Sequence, residues 1–196
     1  MIKIVCDVET SGRHKWWHDV VSCGLVATDD DFNIVGKFRG ECRPWNVKSF
    51  DHETVRIHGL SLDHLMRQQS PEELCLEMLH FLDPFRNKER IEYAPFIYHA
   101  KNRFDFWFLH NLFLKADLAW SFRKMFHESR AYSTIKMASN MGHQGNGLKD
   151  WSQRIGFRLD HHNEMSDALG CLEVLKYLVK QGAKIEDGLE TKKEEE

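Results

Sequence analysis

The amino-acid sequence predicts an α/β fold, in which helices flank a mixed β-sheet. Three apolar segments rich in β-branched residues come first, within the opening 42 residues. Segments with helical and strand periodicity then alternate along the rest of the chain. Leading strands that follow one another directly form an antiparallel meander, and helices inserted between later strands cover the faces of the sheet. The pattern therefore predicts strands of both directions in one sheet.

Composition limits the class of protein. The chain has 196 residues, of which 42% are hydrophobic and 29% charged, as expected for one soluble domain. No apolar run is long enough to span a bilayer, and the N-terminus lacks a secretory signal, so a cytoplasmic location away from membranes is expected. The formal net charge is −3, so contacts to nucleic-acid phosphates would have to be local or mediated by metal.

Cysteine usage agrees with an intracellular protein. The five cysteines are odd in number, far apart and without a Cys-x-x-Cys pair, which predicts reduced thiols. They are Cys6, Cys23, Cys42, Cys75 and Cys171.

The first half of the chain begins with the three strands. Residues 2–6 are predicted to form a short buried strand, and a polar, aromatic loop follows at residues 12–19. A second strand is predicted over residues 20–27 and a third over residues 32–42. The three aspartates at residues 29–31 predict the turn between them.

Helices dominate the remainder. The apolar spacing over residues 62–85 is helical, and Ser70-Pro71 is a strong helix start within it. Residues 95–100 predict a buried fourth strand, and residues 104–118 an apolar helix rich in Phe and Leu.

The C-terminal part is predicted in the same way. Residues 130–141 predict a strand with a short helix, residues 148–155 a helix, and residues 166–181 a long amphipathic helix. Beyond residue 182 the chain is charged and poor in apolar residues, so we expect residues 183–196 to form a frayed or disordered tail. The domain is accordingly placed at residues 1–182.

An acidic pair, Asp7 and Glu9, stands at the end of the first apolar run. Residues i and i+2 of a strand point to the same face, so the two carboxylates project together. Adjacent anions raise each other's pKa unless positive charge lies between them, and a hard divalent cation with oxygen ligands meets that need. An isolated Asp-x-Glu is more often a surface feature, so partners elsewhere must support a metal site.

Two further acids occupy suitable places. Asp105 lies between the predicted fourth strand and the next helix, and Asp167 lies at the start of the long C-terminal helix. Site residues gather at strand ends and helix starts in α/β sheets. Negative charge is also favourable at a helix N-terminus, so each position has a structural explanation as well.

Together these residues form a pattern that resembles the DnaQ-like exonucleases, in their DEDDh branch. The first family motif is present as Asp7-Val-Glu9-Thr10, the second as His99-Ala-Lys-Asn-Arg-Phe-Asp105, and the third as His162-Asn-Glu-Met-Ser-Asp167. The segment Ile57-His-Gly-Leu-Ser61 is similar to a further family segment. The second motif has one extra residue, as in TREX-like members, which favours DNA as substrate and leaves the role of His99 open between a site residue and a core histidine.

The resemblance implies an RNase H-like, mixed five-stranded sheet and a 3′–5′ exonuclease that releases nucleoside 5′-monophosphates. Two Mg²⁺ ions, replaceable by Mn²⁺, would be held by four carboxylates, those of Asp7, Glu9, Asp105 and Asp167. Glu9 would thus also take part in catalysis. His162 would act as general base, with the neighbouring His161 as its rival.

Substrate contacts follow from the same resemblance. Val8 and Thr10 would contact the terminal sugar, and His58 and Leu60 the last base. Phe104 would pack beneath that base, although its apolar surroundings favour a place in the core.

Trp16 and Trp17 lie in a loop interleaved with cationic residues, which is typical of a platform that stacks single-stranded bases. The alternative is that the two indoles close one edge of the core.

The expected partner is the 3′ end of single-stranded DNA or RNA, and a homodimer or a replication or repair partner is compatible with the sequence. An exoribonuclease similar to RNase T or oligoribonuclease is the alternative enzyme. A non-catalytic, polymerase-associated binding module is the alternative of another class, against which the presence of all four acids argues. A haloacid-dehalogenase-like phosphatase would need Asp where Glu9 stands.

Overall fold

A five-stranded mixed sheet forms the centre of the part of the chain that the computed structural model describes, residues 1–86, 93–144 and 147–190. Its strands are β1 Lys3–Thr10, β2 Val20–Thr28, β3 Ile34–Glu41, β4 Phe96–Tyr98 and β5 Ala131–Ser133. Their order is β3-β2-β1-β4-β5, with the first three antiparallel and with β4 parallel to both β1 and β5. The predicted fold class is therefore confirmed.

Eight α-helices lie within the described residues. They are α1 Val55–His58, α2 Leu62–Leu65, α3 Pro71–Leu82, α4 Phe104–Lys115, α5 Ala119–Met125, α6 Thr134–Asn140, α7 Leu148–Ile155 and α8 Glu164–Lys180. Short 3-10 helices cover Val47–Ser49, His52–Thr54, Asp83–Phe85, Glu128–Arg130 and Ile185–Gly188.

The helices form one layer on each face of the sheet. Alternate residues of β1 divide between the layers because successive side chains of a strand point to opposite faces. Cys6 and Val8 belong to the core shared with α3, α4 and α5, and Val5 to the core shared with α6, α7 and α8. Asp7 and Glu9 have the same parity as Val5, so β1 directs both carboxylates towards the α8 layer.

Several predicted boundaries differ from the structure. Strand β1 continues through the acidic pair to Thr10 because β2 pairs with it along its whole length. The predicted helix at residues 62–85 is interrupted between α2 and α3, where Gln69 pairs with Cys42 and Ser70 begins α3 with a capping box. Helix α5 was not predicted; it lies between the segments predicted at residues 104–118 and 130–141.

The prediction of a frayed tail is wrong for residues 183–190. Ile185–Gly188 forms a 3-10 helix, Leu189 pairs with Tyr132 of β5, and Glu190 is 6% exposed. The Glu190 carboxylate accepts hydrogen bonds from the backbone N–H groups of Asn102 and Arg103 in the loop before α4, and these bonds hold the segment. Charged composition does not reveal such bonds. The remaining residues of the predicted tail, 191–196, lie outside the described residues.

The cysteine prediction is confirmed, since all five cysteines are free thiols and all five are buried. Among the helices that the structure describes, none combines the length and apolar character needed to cross a bilayer.

Candidate active site

Three carboxylates converge between β1 and the N-terminus of α8. Asp7, Glu9 and Asp167 each offer an oxygen atom, and these atoms all lie within 4.8 Å of one another. Strand β1 supplies the first two from one face. Helix α8 supplies the third in its first turn, where Asn163 caps the helix by accepting a hydrogen bond from Ser166 N. The structure therefore joins residues that are about 160 positions apart in the chain, as the motifs predict.

The fourth predicted acid, Asp105, approaches from the opposite layer. It lies in the first turn of α4, and its Oδ1 accepts a hydrogen bond of 3.2 Å from Val8 N, between the two acids of β1. Its Oδ2 is buried and has no hydrogen-bond partner among the described residues. Asp105 does not belong to the 4.8 Å triplet but lines the same cleft.

The cluster is electrostatically strained because its negative charges are close together and partly removed from water. Burial, followed by the charges of Asp167, Glu164 and Asp105, raises the pKa of Glu9 to about 8. Burial raises the pKa of Asp105 to about 7. The pKa of Asp7 is also raised, first by burial and then by Asp105 and Asp167. Such a cluster attracts positive charge.

Two adjacent histidines cover one side of Asp167. The backbone N–H of His162 donates to Asp167 Oδ2 at 3.0 Å, and His161 Nδ1 lies 3.3 Å from the same oxygen. Their rings stack with centroids 3.8 Å apart, and His162 has a left-handed backbone with φ of 65°. Burial and the neighbouring His161 lower the pKa of His162, which favours a neutral imidazole that can accept a proton.

These residues line an open cleft with a volume of ≈ 310 Å³. Its lining includes every predicted acid, His162, and two of the predicted substrate contacts, Val8 and Phe104. Phe104 also packs against Phe108, at 4.5 Å between ring centroids, so it belongs to the core and to the cleft.

The other predicted contacts lie outside the lining. The Thr10 hydroxyl donates to Gly12 O at 2.7 Å, and Leu60 is partly buried against a small apolar cluster near Phe50. Burial lowers the pKa of His58, and its Nδ1 accepts a hydrogen bond of 3.0 Å from Leu60 N.

His99 lines the cleft as well. Its Nδ1 lies 2.6 Å from Thr134 Oγ1, and that hydroxyl donates to Tyr98 O at 3.2 Å. The ring is thus anchored by a hydrogen bond at the wall of the cleft and is not part of the apolar core.

Sequence reasoning missed two charged residues at the site. Glu164 is 2% exposed and pairs with Arg39 of β3, so a cation from the edge of the sheet compensates one of the buried acids. Lys149 of α7 lines the cleft. Glu164 stands at an unspecified position inside the motif from His162 to Asp167, and Lys149 lies outside the motifs, so only the folded chain reveals that both lie at the site.

The sequence matches a known protein family over most of its length. The family model described as exonuclease, RNase_T, matches residues 4–175 of this chain. The chain belongs to the RNase T exonuclease family. The resemblance to DnaQ-like DEDDh exonucleases is thereby confirmed. No curated protein matches its sequence.

Solved structures show the same fold at low sequence identity. E. coli exonuclease I in complex with a dT13 oligonucleotide superimposes with a TM-score of 0.72 at 16% identity, over 90% of this exonuclease and 40% of that chain. The nuclease domain of 3′hExo, a DEDDh family member bound to rAMP, gives a TM-score of 0.73 at 10% identity, over 94% of both chains. The chain thus spans about two fifths of the length of exonuclease I.

A glycine lets the two acidic elements of this exonuclease approach each other. Gly24 of β2 pairs with Asp7 of β1, and a Cβ at Gly24 would lie 2.6 Å from Glu164 O and 2.9 Å from Met165 N. Both contacts are to backbone atoms, which cannot rotate away. The first turn of α8 therefore rests directly on the sheet at this point.

We predict that Gly24→Ala lowers the turnover of this exonuclease by roughly 10²-fold, because misplacing a catalytic group by about 1 Å has an effect of that size. The substitution would push the start of α8, and with it Asp167, away from β1. Gly36→Ala on β3 is the control, since its Cβ would meet the side-chain rings of Phe81 and Phe85 at 3.0 Å, away from the cleft. Turnover and melting temperature are measured for both variants; equal turnover in the two would contradict the prediction.

Proposed function

We propose that this exonuclease degrades single-stranded nucleic acid from its 3′ end, with DNA preferred, and releases nucleoside 5′-monophosphates with the aid of two divalent cations. The observation that carries the proposal is the convergence of four carboxylates from β1, α4 and α8 on one open cleft. A cleft that is open to solvent suits a flexible strand end.

The donor set fits hard divalent cations such as Mg²⁺, with Mn²⁺ as a substitute. The four side chains offer only carboxylate oxygens, the ligands that such cations prefer. Burial raises the pKa of all four, and neighbouring carboxylates raise the pKa of Asp7, Glu9 and Asp105 further. The buried Asp105 Oδ2, which lacks a hydrogen-bond partner among the described residues, is a free ligand atom of the right type. Asp7, Glu9, Asp105 and Asp167 would hold the ions, which supply positive charge to offset the charge that develops on the phosphodiester group.

The protein's own groups then have separate tasks. His162 accepts the proton of the attacking water at an imidazole nitrogen, which its lowered pKa keeps unprotonated near neutral pH. Val8 and Phe104 line the cleft beside the acids and would contact the terminal sugar and base. Thr10, His58 and Leu60 would hold the same nucleotide from the segment beside the cleft.

An assay with end-labelled oligonucleotides tests the proposal. Matched single- and double-stranded DNA and RNA are incubated with Mg²⁺ or with a chelator. We expect a 5′ label to give a descending ladder and a 3′ label to appear at once as a mononucleotide, with single-stranded DNA cut fastest and no cleavage in chelator. Initial release of a mononucleotide from the 5′ end, or full activity in chelator, would contradict the proposal.

An exoribonuclease is the second candidate. The supporting observation is the match over 94% of both chains to the nuclease domain of 3′hExo, which was solved with rAMP. Faster cleavage of RNA than of DNA in the same assay would select this candidate.

We also propose that Trp16 and Trp17 bind the strand on its way to the cleft. Their side chains are 67% and 70% exposed, so they do not close the core. Lys15 Nζ lies 5.5 Å from the centroid of the Trp16 ring, which places positive charge beside an exposed aromatic face. Exposed rings interleaved with cations suit stacked bases and phosphates.

The loop that carries these indoles is well anchored. Asn111 Nδ2 donates to Lys15 O at 2.7 Å, and Ser49 Oγ donates to Trp17 O at 2.6 Å. Hydrogen bonds on both sides fix the loop backbone, so little ordering would be needed when a strand binds. The loop begins just after β1, next to the acidic cluster.

The double variant Trp16→Ala with Trp17→Ala should raise KM for a 12-residue oligonucleotide by roughly 10-fold or more, because stacking contributes about 1–3 kcal/mol per base. We expect kcat, and the hydrolysis of a dinucleotide too short to reach the loop, to stay near wild type. Trp120→Ala is the matched control, since this indole is also 70% exposed. If the double variant and the control have the same KM, the two indoles do not bind the strand.

A further inference from the structure

Helix α4, which carries Asp105, begins without a capping side chain of its own. Its N-cap residue is Arg103, which has φ of 48° and makes no side-chain capping hydrogen bond. The preceding residue, Asn102, also has a left-handed backbone, with φ of 58°. Two consecutive non-glycine residues in this region are unusual and need support from elsewhere in the fold. In such turns, successive backbone N–H groups can converge on one anion.

The carboxylate of Glu190 is the anion that these backbone N–H groups bind. Its Oε1 accepts from Asn102 N at 3.0 Å, and its Oε2 accepts from Arg103 N at 2.8 Å. The hydroxyl of Tyr98, at the end of β4, donates to Oε2 at 2.8 Å. Burial and the nearby Glu190 raise the pKa of Tyr98, so this hydroxyl stays protonated and remains a donor.

Further contacts hold Glu190 in position. The guanidinium Nη2 of Arg103 donates to the main-chain carbonyl of Glu190, and the preceding Leu189 pairs with Tyr132 of β5. Glu190 is 6% and Arg103 5% exposed. A residue 87 positions along the chain therefore performs the role that a local Ser or Asp performs at most helix starts.

We propose that Glu190 is a positioning residue for Asp105, and this inference rests on the proposed function. Asp105 follows Arg103 by two residues in the first turn of α4, and β1 binds it from the other side through Val8 N. Glu190 fixes the backbone immediately before that turn. Without its carboxylate, three donors, two of them in buried hydrogen bonds, lose their acceptor. The left-handed pair then relaxes, and the Asp105 side chain shifts relative to Asp7 and Glu9.

The test compares Glu190→Ala and Glu190→Gln with Tyr98→Phe in the full chain. Tyr98→Phe removes one donor to the same carboxylate but leaves both backbone contacts, so it is the matched control. We expect Glu190→Ala to lower kcat and to weaken Mn²⁺ binding, measured by calorimetry, each by roughly 10–100-fold, with KM for the oligonucleotide nearly unchanged. Glu190→Gln keeps one carbonyl oxygen, so its kcat and Mn²⁺ affinity should lie between those of Glu190→Ala and wild type. Tyr98→Phe should keep wild-type kcat and Mn²⁺ affinity.

A purely structural role would lower the melting temperature of both Glu190→Ala and Tyr98→Phe and leave kcat of the folded protein unchanged, which would overturn the inference. Equal losses of kcat in Tyr98→Phe and Glu190→Ala would also overturn it, because the phenol contact would then matter instead of the backbone contacts. If Glu190→Ala does not fold, Glu190→Gln decides between the same outcomes. If wild type cleaves no nucleic acid, the proposed function fails, whereas the Mn²⁺ titration still tests the positioning role.

Discussion

Asp7→Asn should reduce nuclease activity by roughly 10³-fold or more, because several kcal/mol of charge stabilisation would be lost with the cations. The same substitution should make the metal-free protein more stable. Burial, followed by the charges of Asp105 and Asp167, raises the pKa of Asp7, so replacing it removes the cost of burying this carboxyl group and its repulsion by the neighbouring acids. For a domain of this size, each 1 kcal/mol of repulsion removed raises the melting temperature by roughly 2–4 °C.

The gain in stability should depend on pH in a defined direction. The pKa of Glu9 is raised from 4.5 to about 8 in the folded protein, so folding takes up a proton between these values. The stability of the metal-free wild type therefore falls as pH rises from about 4.5 to about 8. The raised pKa of Asp7 adds a second loss of stability, which begins as pH rises above 3.8. Asp7→Asn removes this second loss, so its advantage over wild type grows as pH rises above 3.8.

Melting curves in chelator at several pH values test the predicted gain in stability, and nuclease assays in Mg²⁺ test the predicted loss of activity. Asp29→Asn is the control. Asp29 lies in the turn after β2, where hydrogen bonds from Asn33 lower its pKa, so its replacement should not stabilise the protein and should leave activity intact. An Asp7→Asn variant that is active, or that melts below wild type in chelator at pH 8, would contradict the account of the cluster.

His162→Asn should lower kcat by roughly 10²–10⁴-fold, the range that general acid–base catalysis contributes. Asparagine is the suitable replacement because His162 has φ of 65°, a left-handed conformation that asparagine tolerates. The backbone N–H that donates to Asp167 is retained, so the metal ligands should stay in place. We therefore expect the KM for oligonucleotide and the Mn²⁺ affinity to change little.

His161→Asn is the matched comparison, since its ring stacks on that of His162 and its Nδ1 lies 3.3 Å from the Asp167 carboxylate. This variant should lose far less turnover, because the family motif places the base at His162. Single-turnover rates across pH separate the two histidines. A larger loss in His161→Asn than in His162→Asn would move the role of base to His161.

Local patterns in the sequence placed each acid on its own strand or helix, whereas the convergence of the four acids was predicted from the resemblance to the DnaQ-like family. The i, i+2 rule places Asp7 and Glu9 on one face of β1, and helix-start signals place Asp105 and Asp167 in first turns. The order of strands and helices then restricts the topology enough for the mixed sheet to be predicted.

Features that depend on long-range contacts could not be predicted. The polar sequence around Glu190 predicts a disordered tail. The backbone N–H groups that donate to Glu190 lie about 90 residues earlier in the chain. In the sequence, Gly24 is an ordinary strand glycine. Its close contact with the backbone of α8 is evident only in the folded structure. The pairing of Arg39 with Glu164 likewise joins residues 125 positions apart, without any pattern in the sequence. In each case the decisive neighbour is set by tertiary packing.

The five buried cysteines make alkylation a direct probe of how the sheet opens. Burial raises the pKa of Cys6, Cys23 and Cys171, so these thiols are protonated and shielded from iodoacetamide in the folded chain. Cys6 adjoins Asp7 on the central strand, whereas Cys75 lies on α3. The rate at which each thiol is labelled therefore reports local unfolding near the acidic cluster and in the outer helix layer separately, without any engineered label.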